Sequence, residues 1–282
     1  MAERPLLITG ASGTLGRAFM RVCEARGLPY VATTRARLDL SNPDAVERTV
    51  EEEAPWAVVN AAGYVRVDDA EADAEACFAA NALGPARLAA ACARHKARLA
   101  TFSTDLVFDG RKREPYLEAD APAPLNAYGR SKAKAERLVA SALPGALVVR
   151  TSAFFGPWDT ANFVTHALRA LSAGETFFAL ADSVVSPTYV VDLAHATLDL
   201  LLAGEGGIVH LANRGACGWP DLARQAADLA GVPGGRVEPR PARELGLRAP
   251  RPAYSALGSR RAPPLPSLRD ALTRYLQERE TA

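Results

Sequence analysis

The stretch Gly10-Ala11-Ser12-Gly13-Thr14-Leu15-Gly16 decides the fold prediction for this chain of 282 residues. It follows a short apolar run, Leu6–Thr9, which is typical of a buried strand, and it precedes a helical pattern over Arg17–Arg26. A glycine-rich turn between a strand and a helix leaves backbone N–H groups directed at the helix N-terminus, where the helix dipole favours a phosphate. The stretch therefore predicts a dinucleotide-binding turn, although its spacing is GxxGxxG and not GxGxxG.

The three glycines of this turn have separate predicted roles. Gly10 permits the tight turn, Gly13 lets a pyrophosphate approach the backbone, and Gly16 lets the helix pack closely on the strand. The residues between them would line the same phosphates, and we assign Ser12, Thr14 and Leu15 to the cofactor site as well. A purely structural glycine turn is the alternative, and its position after the first strand favours the dinucleotide.

The second strand pattern, Tyr30–Arg35, predicts where the adenosine half of the cofactor would lie. NAD enzymes usually carry an acidic residue at the end of this strand, which binds the ribose 2′-hydroxyl. This chain has Arg35 there, which suits a 2′-phosphate and favours NADPH, with NADH possible. A solvated loop residue is the alternative reading of Arg35. Asp39 and Leu40 follow at a position suited to an adenine contact.

The alternation of strands and helices continues along the first half and predicts a doubly wound α/β fold of the Rossmann type, with a parallel sheet. The further elements are a helix over Pro43–Ala54, a strand over Trp56–Val59, a helix over Ala70–Arg94, and strands over Leu99–Phe102 and Ala146–Arg150. We predict a dinucleotide-binding domain over residues 1–152. Residues 153–282 would form a smaller α/β substrate-binding lobe, with part of the chain returning to the first domain and a loop-rich segment over residues 237–266.

Small and polar residues follow two of the predicted strands. Asn60-Ala61-Ala62-Gly63 follows the third strand and leaves room for a ligand, so Ala61, Ala62 and Gly63 are assigned to the cofactor. Ser103-Thr104-Asp105 follows the fourth strand, next to the same crevice. Asn81 lies on an alanine-rich helix and is either a satisfied core amide or a support for the site.

Tyr128 and Lys132 are four residues apart at the predicted start of a helix. Residues at i and i+4 lie on one face, so the phenol and the ammonium can act at one spot. By itself the pair is also common on surface helices. Its position after the glycine turn and the polar strand ends makes it a candidate for catalysis.

The composition argues against several classes of function. Lys and Arg number 33 against 32 acidic residues, so the net charge of +1 gives no field that attracts nucleic acid or an anionic membrane. The four cysteines form no CxxC pair, and the four histidines have no metal-ligand spacing, so we expect no metal site. The N-terminus lacks a signal-peptide pattern and no apolar run approaches ~20 residues, which predicts a soluble cytoplasmic protein.

The chain resembles the extended short-chain dehydrogenase/reductases, and within them the dTDP-4-dehydrorhamnose reductases. The resemblance covers nearly the whole chain. Besides the glycine turn and Asn60-Ala61-Ala62-Gly63, it rests on Val67-Asp68-Asp69-Ala70-Glu71, Ser103-Thr104-Asp105, Tyr128-Gly129-Arg130-Ser131-Lys132, Arg150-Thr151-Ser152, Asn162-Phe163-Val164, Ser186-Pro187-Thr188-Tyr189 and Arg251-Pro252-Ala253-Tyr254-Ser255. It implies reduction of a 4-keto nucleotide sugar, dTDP-4-dehydro-L-rhamnose foremost, by NADPH. It also implies that Asp105, Asn162, Phe163 and Arg251 bind the substrate, and that the chain could form a homodimer.

A ketone reductase needs a hydride for carbon and a proton for oxygen, and the nicotinamide supplies the hydride. Tyr128 would supply the proton, and we expect Lys132 to lower the pKa of the phenol and to hold the nicotinamide ribose. Thr104 would donate a hydrogen bond to the ketone oxygen. Asp105 could orient Thr104 or the substrate, or cap the following turn.

Departures from the family pattern lie on the substrate side. Ala153 stands where relatives often have a tryptophan, Val65 where they commonly have a threonine, and Leu106 where a tyrosine is frequent. Two alternatives therefore stay open. One is another nucleotide-sugar ketoreductase, an epimerase or a dehydratase of the same superfamily. The other is a non-catalytic NADP-binding relative that regulates a partner.

Overall fold

Fourteen strands and nine α-helices make up the protein, which a computed structural model describes over residues 4–279. The strands are β1 Leu6–Thr9, β2 Tyr30–Thr33, β3 Ala57–Asn60, β4 Arg98–Thr104, β5 Leu147–Thr151, β6 Phe154–Phe155, β7 Phe177–Leu180, β8 Val184–Val185, β9 Thr188–Tyr189, β10 Gly207–His210, β11 Asn213–Arg214, β12 Cys217–Gly218, β13 Val237–Arg240 and β14 Leu265–Ser267. The helices are α1 Thr14–Arg26, α2 Pro43–Glu53, α3 Ala74–Phe78, α4 Gly84–His95, α5 Ala127–Ala142, α6 Phe163–Ser172, α7 Val190–Ala203, α8 Trp219–Leu229 and α9 Leu268–Arg279.

Six parallel strands form the central sheet, in the order β10-β5-β4-β3-β1-β2. From β1 the chain moves outward to β2, and it then crosses to the other side of β1 and continues through β3, β4 and β5. The carboxyl ends of β1 and β3 therefore border the crevice where doubly wound sheets bind their ligands. The predicted Rossmann-type fold class is confirmed.

Helices cover both faces of this sheet and bury its apolar side chains. Phe19 of α1 and Leu193 and Leu198 of α7 pack on one face. Leu88 of α4 and Val139 of α5 pack on the other. Each such side chain stabilises the fold by roughly 1.5–3 kcal/mol when fully buried.

The second half of the chain contributes to both the central layer and a separate core. Helix α7 packs against α1 and β10 extends the central sheet, so these two elements belong to the first layer. Helices α6, α8 and α9 surround their own core, which includes Phe155, Leu222 and Tyr275. Strand β13 pairs in parallel with β7, within the segment that the sequence predicted as loop. The division of the chain at residue 152 stays a prediction.

The helix predicted over Ala70–Arg94 is interrupted. A π-helical segment, Ala79–Leu83, separates α3 from α4. The combined stretch Ala74–His95 is long and apolar enough to meet the criteria for a membrane span, which the sequence reading did not foresee. Half of an 18-residue window within it is buried in the protein, where α4 packs against α2 and α5, so it forms part of the core.

Candidate functional site

The glycine turn lies tightly between β1, α1 and the end of β3. Gly10 has a φ of +68°, and a Cβ there would lie 2.7 Å from the carbonyl carbon of Ala61. A Cβ on Gly16 would lie 2.2 Å from the carbonyl oxygen of Gly10. Gly13 precedes the first residue of α1 and has no side chain to cap it, so the first-turn N–H groups stay available to an anion. This cradle fits the pyrophosphate of a dinucleotide.

Two residues that sequence reasoning missed border the glycine turn. Trp158 Nε1 donates a hydrogen bond to the backbone oxygen of Thr14 at 2.9 Å. Thr14 Oγ1 donates to Asp159 Oδ2 at the same distance. Ser12 is exposed in the turn and Leu15 is buried beneath it. The loop after β6 therefore closes one side of the predicted phosphate site, and no local pattern pointed to it.

The end of β2 presents Arg35 to solvent beside the glycine turn. Its side chain is 87% exposed, and its Nε lies 3.4 Å from Asp39 Oδ2. An exposed pair of this kind contributes little to stability, so the guanidinium can turn to a phosphate. The Ser41 N–H lowers the pKa of Asp39, and Leu40 is buried against Gly84. The arrangement suits a 2′-phosphate at Arg35, and that assignment stays a prediction.

The end of β3 approaches the catalytic candidates through Gly63. A Cβ on Gly63 would lie 2.9 Å from Asn81 Oδ1 and 3.6 Å from Lys132 Nζ. Ala61 and Ala62 precede it and are only partly buried. Asn60 at the strand end is fixed, because its Oδ1 accepts from the Thr9 hydroxyl at 2.8 Å. These small residues leave open space directly beside Lys132.

Asn81 is both a satisfied buried amide and a link between two sides of the site. It lies in the π-helical segment and is fully buried. Its Oδ1 accepts from the Tyr64 N–H at 2.8 Å, and its Nδ2 donates to the Tyr64 carbonyl at 3.0 Å and to Ser131 Oγ at 3.2 Å. It thereby holds the turn after β3 against α5.

Tyr128 and Lys132 lie on the first turns of α5, as the spacing predicted. Asn126 caps the helix by accepting from the Gly129 N–H at 2.7 Å. A Cβ on Gly129 would lie 2.1 Å from the carbonyl oxygen of Leu106, so only glycine lets α5 approach the end of β4 this closely. Lys132 Nζ lies 5.8 Å from the centre of the Tyr128 ring. The pair therefore lies next to the strand that carries Thr104.

The electrostatics of this pair differ from the expectation that Lys132 lowers the pKa of Tyr128. Burial raises the pKa of Tyr128. Burial also lowers the pKa of Lys132 to about 8, against the opposing effects of Cys77 and Glu136. Lys132 Nζ donates to the carbonyl oxygen of Phe102 at 3.0 Å and is not directed at the phenol. The prediction that Lys132 lowers the pKa of Tyr128 is therefore wrong for this structure. A raised pKa favours the protonated phenol, which is the form that can donate a proton.

Thr104 and Asp105 follow β4 and contact a segment from the far end of the chain. Thr104 Oγ1 lies 3.1 Å from Asp105 Oδ1 and accepts from the Leu106 N–H at 3.2 Å. Ser255 Oγ donates to Asp105 Oδ2 at 2.5 Å. Burial raises the pKa of Asp105, which is only 4% exposed. Of the roles left open for Asp105, orientation of Thr104 has the contact it needs.

Ser255 belongs to a strap, residues 249–257, that lies against the end of β4 and the start of α5. Arg251 Nη2 pairs with Asp68 Oδ2 at 2.6 Å, and the Ala249 N–H donates to Asp68 Oδ1 at 3.0 Å. Asn126 Nδ2 donates to the Pro250 carbonyl at 2.9 Å. The predicted substrate residue Arg251 is thus engaged with Asp68, and its contact with a substrate stays a prediction.

Asn162 and Phe163 serve the second lobe. Asn162 caps α6 by accepting from the Thr165 N–H at 2.9 Å, and its Nδ2 donates to the Asp159 carbonyl at 2.7 Å. The Phe163 ring packs against Phe177 and Trp219, with centroids 5.2 and 4.7 Å apart. The structure does not bring these two residues into contact with Thr104, and their binding of substrate also stays a prediction.

A buried ion pair beneath the site was also missed. Arg150 donates from Nε and Nη2 to the two oxygens of Glu136, at 2.8 and 2.7 Å. Ser103 Oγ donates to the same carboxylate at 2.5 Å, and His210 Nε2 lies 3.3 Å from Arg150 Nη1. Because Glu136 lies one helical turn after Lys132, the pair fixes α5 against β4 and β5. The i+4 spacing from Lys132 was the only signal for it in the sequence.

The comparisons with known proteins agree with this geometry. A family model described as the RmlD substrate binding domain matches residues 4–280. The chain is 40% identical to a dTDP-4-dehydrorhamnose reductase of Mycolicibacterium smegmatis, over 96% of this chain and 84% of that protein. It is 37% identical to a dTDP-4-keto-6-deoxy-D-glucose reductase of Streptomyces niveus, over 89% and 88%. A crystal structure of a dTDP-4-dehydrorhamnose reductase from Bacillus anthracis in complex with NADP superposes with a TM-score of 0.94 at 31% identity, over 98% of this chain and 99% of that one.

Proposed function

This chain belongs to the RmlD substrate binding domain family, and on that premise we propose that it is an NADPH-dependent reductase of a 4-keto nucleotide sugar, foremost dTDP-4-dehydro-L-rhamnose, which it converts to dTDP-L-rhamnose. The observation that supports the proposal is the approach of Tyr128 and Lys132 to Gly63 and to the end of β4, the strand that carries Thr104.

The nicotinamide supplies the hydride when the cofactor is bound. Gly10, Gly13 and Gly16 would hold its pyrophosphate, and Gly63 and Lys132 would border its ribose. Gly10 and Gly16 let the turn take its shape, since a Cβ there would overlap backbone atoms, and the uncapped N-terminus of α1 leaves N–H groups for a phosphate.

Tyr128 transfers the proton in this mechanism. Its raised pKa keeps the phenol protonated at neutral pH, so it is ready to protonate the ketone oxygen as the hydride reaches carbon. Lys132, with a pKa near 8, carries a positive charge at neutral pH and stabilises the phenolate that remains. Thr104 donates a hydrogen bond to the same oxygen while negative charge develops on it.

Tyr128→Phe tests the proposal. The variant lacks the transferred proton, so kcat for NADPH oxidation with dTDP-4-dehydro-L-rhamnose should fall by about 10²–10⁴. NADPH binding, followed by its fluorescence, should stay within about threefold because the ring remains. Wild-type turnover in this variant would refute the role of Tyr128.

A second candidate substrate is a dTDP-4-keto-6-deoxy-D-glucose, because the chain is nearly as similar to the Streptomyces niveus reductase. The departures Val65, Leu106 and Ala153 lie near the site, and Val65 is 66% exposed while Ala153 has a φ of +40°. A panel of dTDP- and UDP-4-keto sugars, compared by kcat/KM, separates the two candidates. NADPH binding without turnover of any ketone would favour the regulatory alternative. A cytoplasmic location and a homodimer are further expectations of the proposal.

A further inference from the structure

Thr104 has one hydroxyl proton, and Asp105 Oδ1 would compete for it with the ketone oxygen of a bound substrate. The Oγ1 atom accepts from the Leu106 N–H and lies 3.1 Å from Asp105 Oδ1. An ionised carboxylate only accepts hydrogen bonds. If Asp105 were ionised, Thr104 would donate its proton to Oδ1 and would have none for the ketone oxygen of a substrate.

The net effect of its surroundings raises the pKa of Asp105, because desolvation by burial outweighs the hydrogen bonds with Ser255, Ser152 and Thr104, which lower it. Its side chain is almost fully buried at the end of β4. Within residues 4–279 no Lys, Arg or His side chain forms an ion pair with it. Lys132 and Arg150 donate to Phe102 and Glu136. A buried carboxyl without a cation commonly takes up a proton, because desolvation penalises the charged form.

We propose that Asp105 is a neutral carboxylic acid that donates its Oδ1 proton to Thr104 Oγ1, so that the Thr104 hydroxyl is free to donate to the ketone oxygen. The directions of the other bonds agree. Ser255 Oγ donates to Asp105 Oδ2, which is then the carbonyl oxygen of the acid. Oδ1–H and the Leu106 N–H use the two lone pairs of Thr104 Oγ1.

This inference rests on the proposed reduction and gives Asp105 a positioning role. Asp105 keeps its proton throughout the reaction, and the transferred proton comes from Tyr128. A neutral acid also avoids placing a negative charge beside the ketone oxygen, where negative charge develops in the transition state. Burial of Asp105 thus serves the donor role of Thr104.

Asp105→Asn and Asp105→Ala distinguish the neutral acid from the carboxylate. An asparagine can donate from Nδ2 to Thr104 and accept from Ser255 at Oδ1, as the neutral acid does. We expect kcat of the asparagine variant to stay within about tenfold of wild type, and that of the alanine variant to fall by about 10²-fold or more, with KM less affected. Equal losses in the two variants would overturn the proposal.

Infrared spectroscopy tests the proton without any turnover. The wild-type protein at neutral pH, with Asp105→Asn as the blank, should show the C=O stretching band of a protonated carboxyl group. Ser255→Ala should move that band to higher frequency, because it removes the hydrogen bond to Oδ2. Absence of a band that responds to Ser255→Ala would overturn the proposal, and this variant serves as the reference if Asp105→Asn does not fold. A protein that shows the band but reduces no ketone would instead refute the proposed function.

Discussion

The cofactor side of the site, at the glycine turn, and the proposed substrate side, at the strap, are held by different sets of contacts. On the cofactor side, Gly10, Gly16 and Gly63 lie where an added Cβ would overlap neighbouring atoms, so backbone shape fixes the cradle. On the proposed substrate side, two side-chain contacts join the strap to the site, Arg251 on Asp68 and Ser255 on Asp105, and backbone hydrogen bonds join it to Val184 and Tyr116. Each of these two side-chain contacts can be removed by a single substitution outside the central sheet. We therefore expect substitutions in the glycine turn and in the strap to differ in their effects.

Gly16→Ala changes the glycine turn and should have the largest effect. Its Cβ would lie 2.2 Å from the Gly10 carbonyl oxygen, so α1 or the glycine turn must move. We expect a loss of about 1–3 kcal/mol in the free energy of unfolding, as for overpacked sites, and an NADPH dissociation constant raised by at least tenfold. Denaturant unfolding and NADPH fluorescence titration measure the two effects.

Gly145→Ala is the matched control for this variant. No heavy atom lies within 4 Å of the position that its Cβ would occupy, and Gly145 is not among the residues with positive φ. Its stability should change by no more than about 0.5 kcal/mol, with normal NADPH binding. If Gly16→Ala behaved like this control, the cofactor side would not depend on the close backbone approach.

The same contrast separates what the sequence could predict from what it could not. The glycine turn and Thr104 could be predicted as site candidates because each follows a strand with a local apolar pattern, and Tyr128 and Lys132 because they are four residues apart at the start of a helix. The contacts of the strap join Asp68 to a residue 183 positions away, and no local pattern encodes such a pairing. A local pattern also does not show where a helix is interrupted, as at the π-helical segment before α4.

The direction of the Tyr128 pKa shift could not be predicted for a related reason. The i+4 spacing correctly placed Lys132 on the same helix, but not the direction of its ammonium, which donates to Phe102. The degree of burial, which dominates both pKa values, depends on how α5 meets β4 through Gly129. Sequence spacing predicts that Tyr128 and Lys132 are neighbours, but their pKa values depend on how the helix packs.

Arg35→Ser sharpens the comparison within the cofactor side, because Arg35 is a side chain on an otherwise backbone-built site. We expect NADPH to bind about tenfold more weakly, since the charge-assisted bond to the 2′-phosphate is lost. NADH affinity should not change. Arg37→Ser is the control, because Arg37 lies on the same loop and pairs with Glu53. Equal losses of affinity for NADPH and NADH would show that Arg35 does not read the 2′-phosphate.

Arg251→Ala and Asp68→Asn test the ion pair that joins the strap to Asp68, where we expect the smallest effects. Their ion pair is partly exposed, so each variant should lose only about 1 kcal/mol of unfolding free energy. The two differ in what remains, because Asp68→Asn keeps the guanidinium at the site and Arg251→Ala removes it. If Arg251 binds the nucleotide sugar, its variant should raise KM by about tenfold while Asp68→Asn raises it by less than about threefold. If both variants raise KM equally, Arg251 acts only by holding the strap on Asp68, and the predicted substrate contact is wrong.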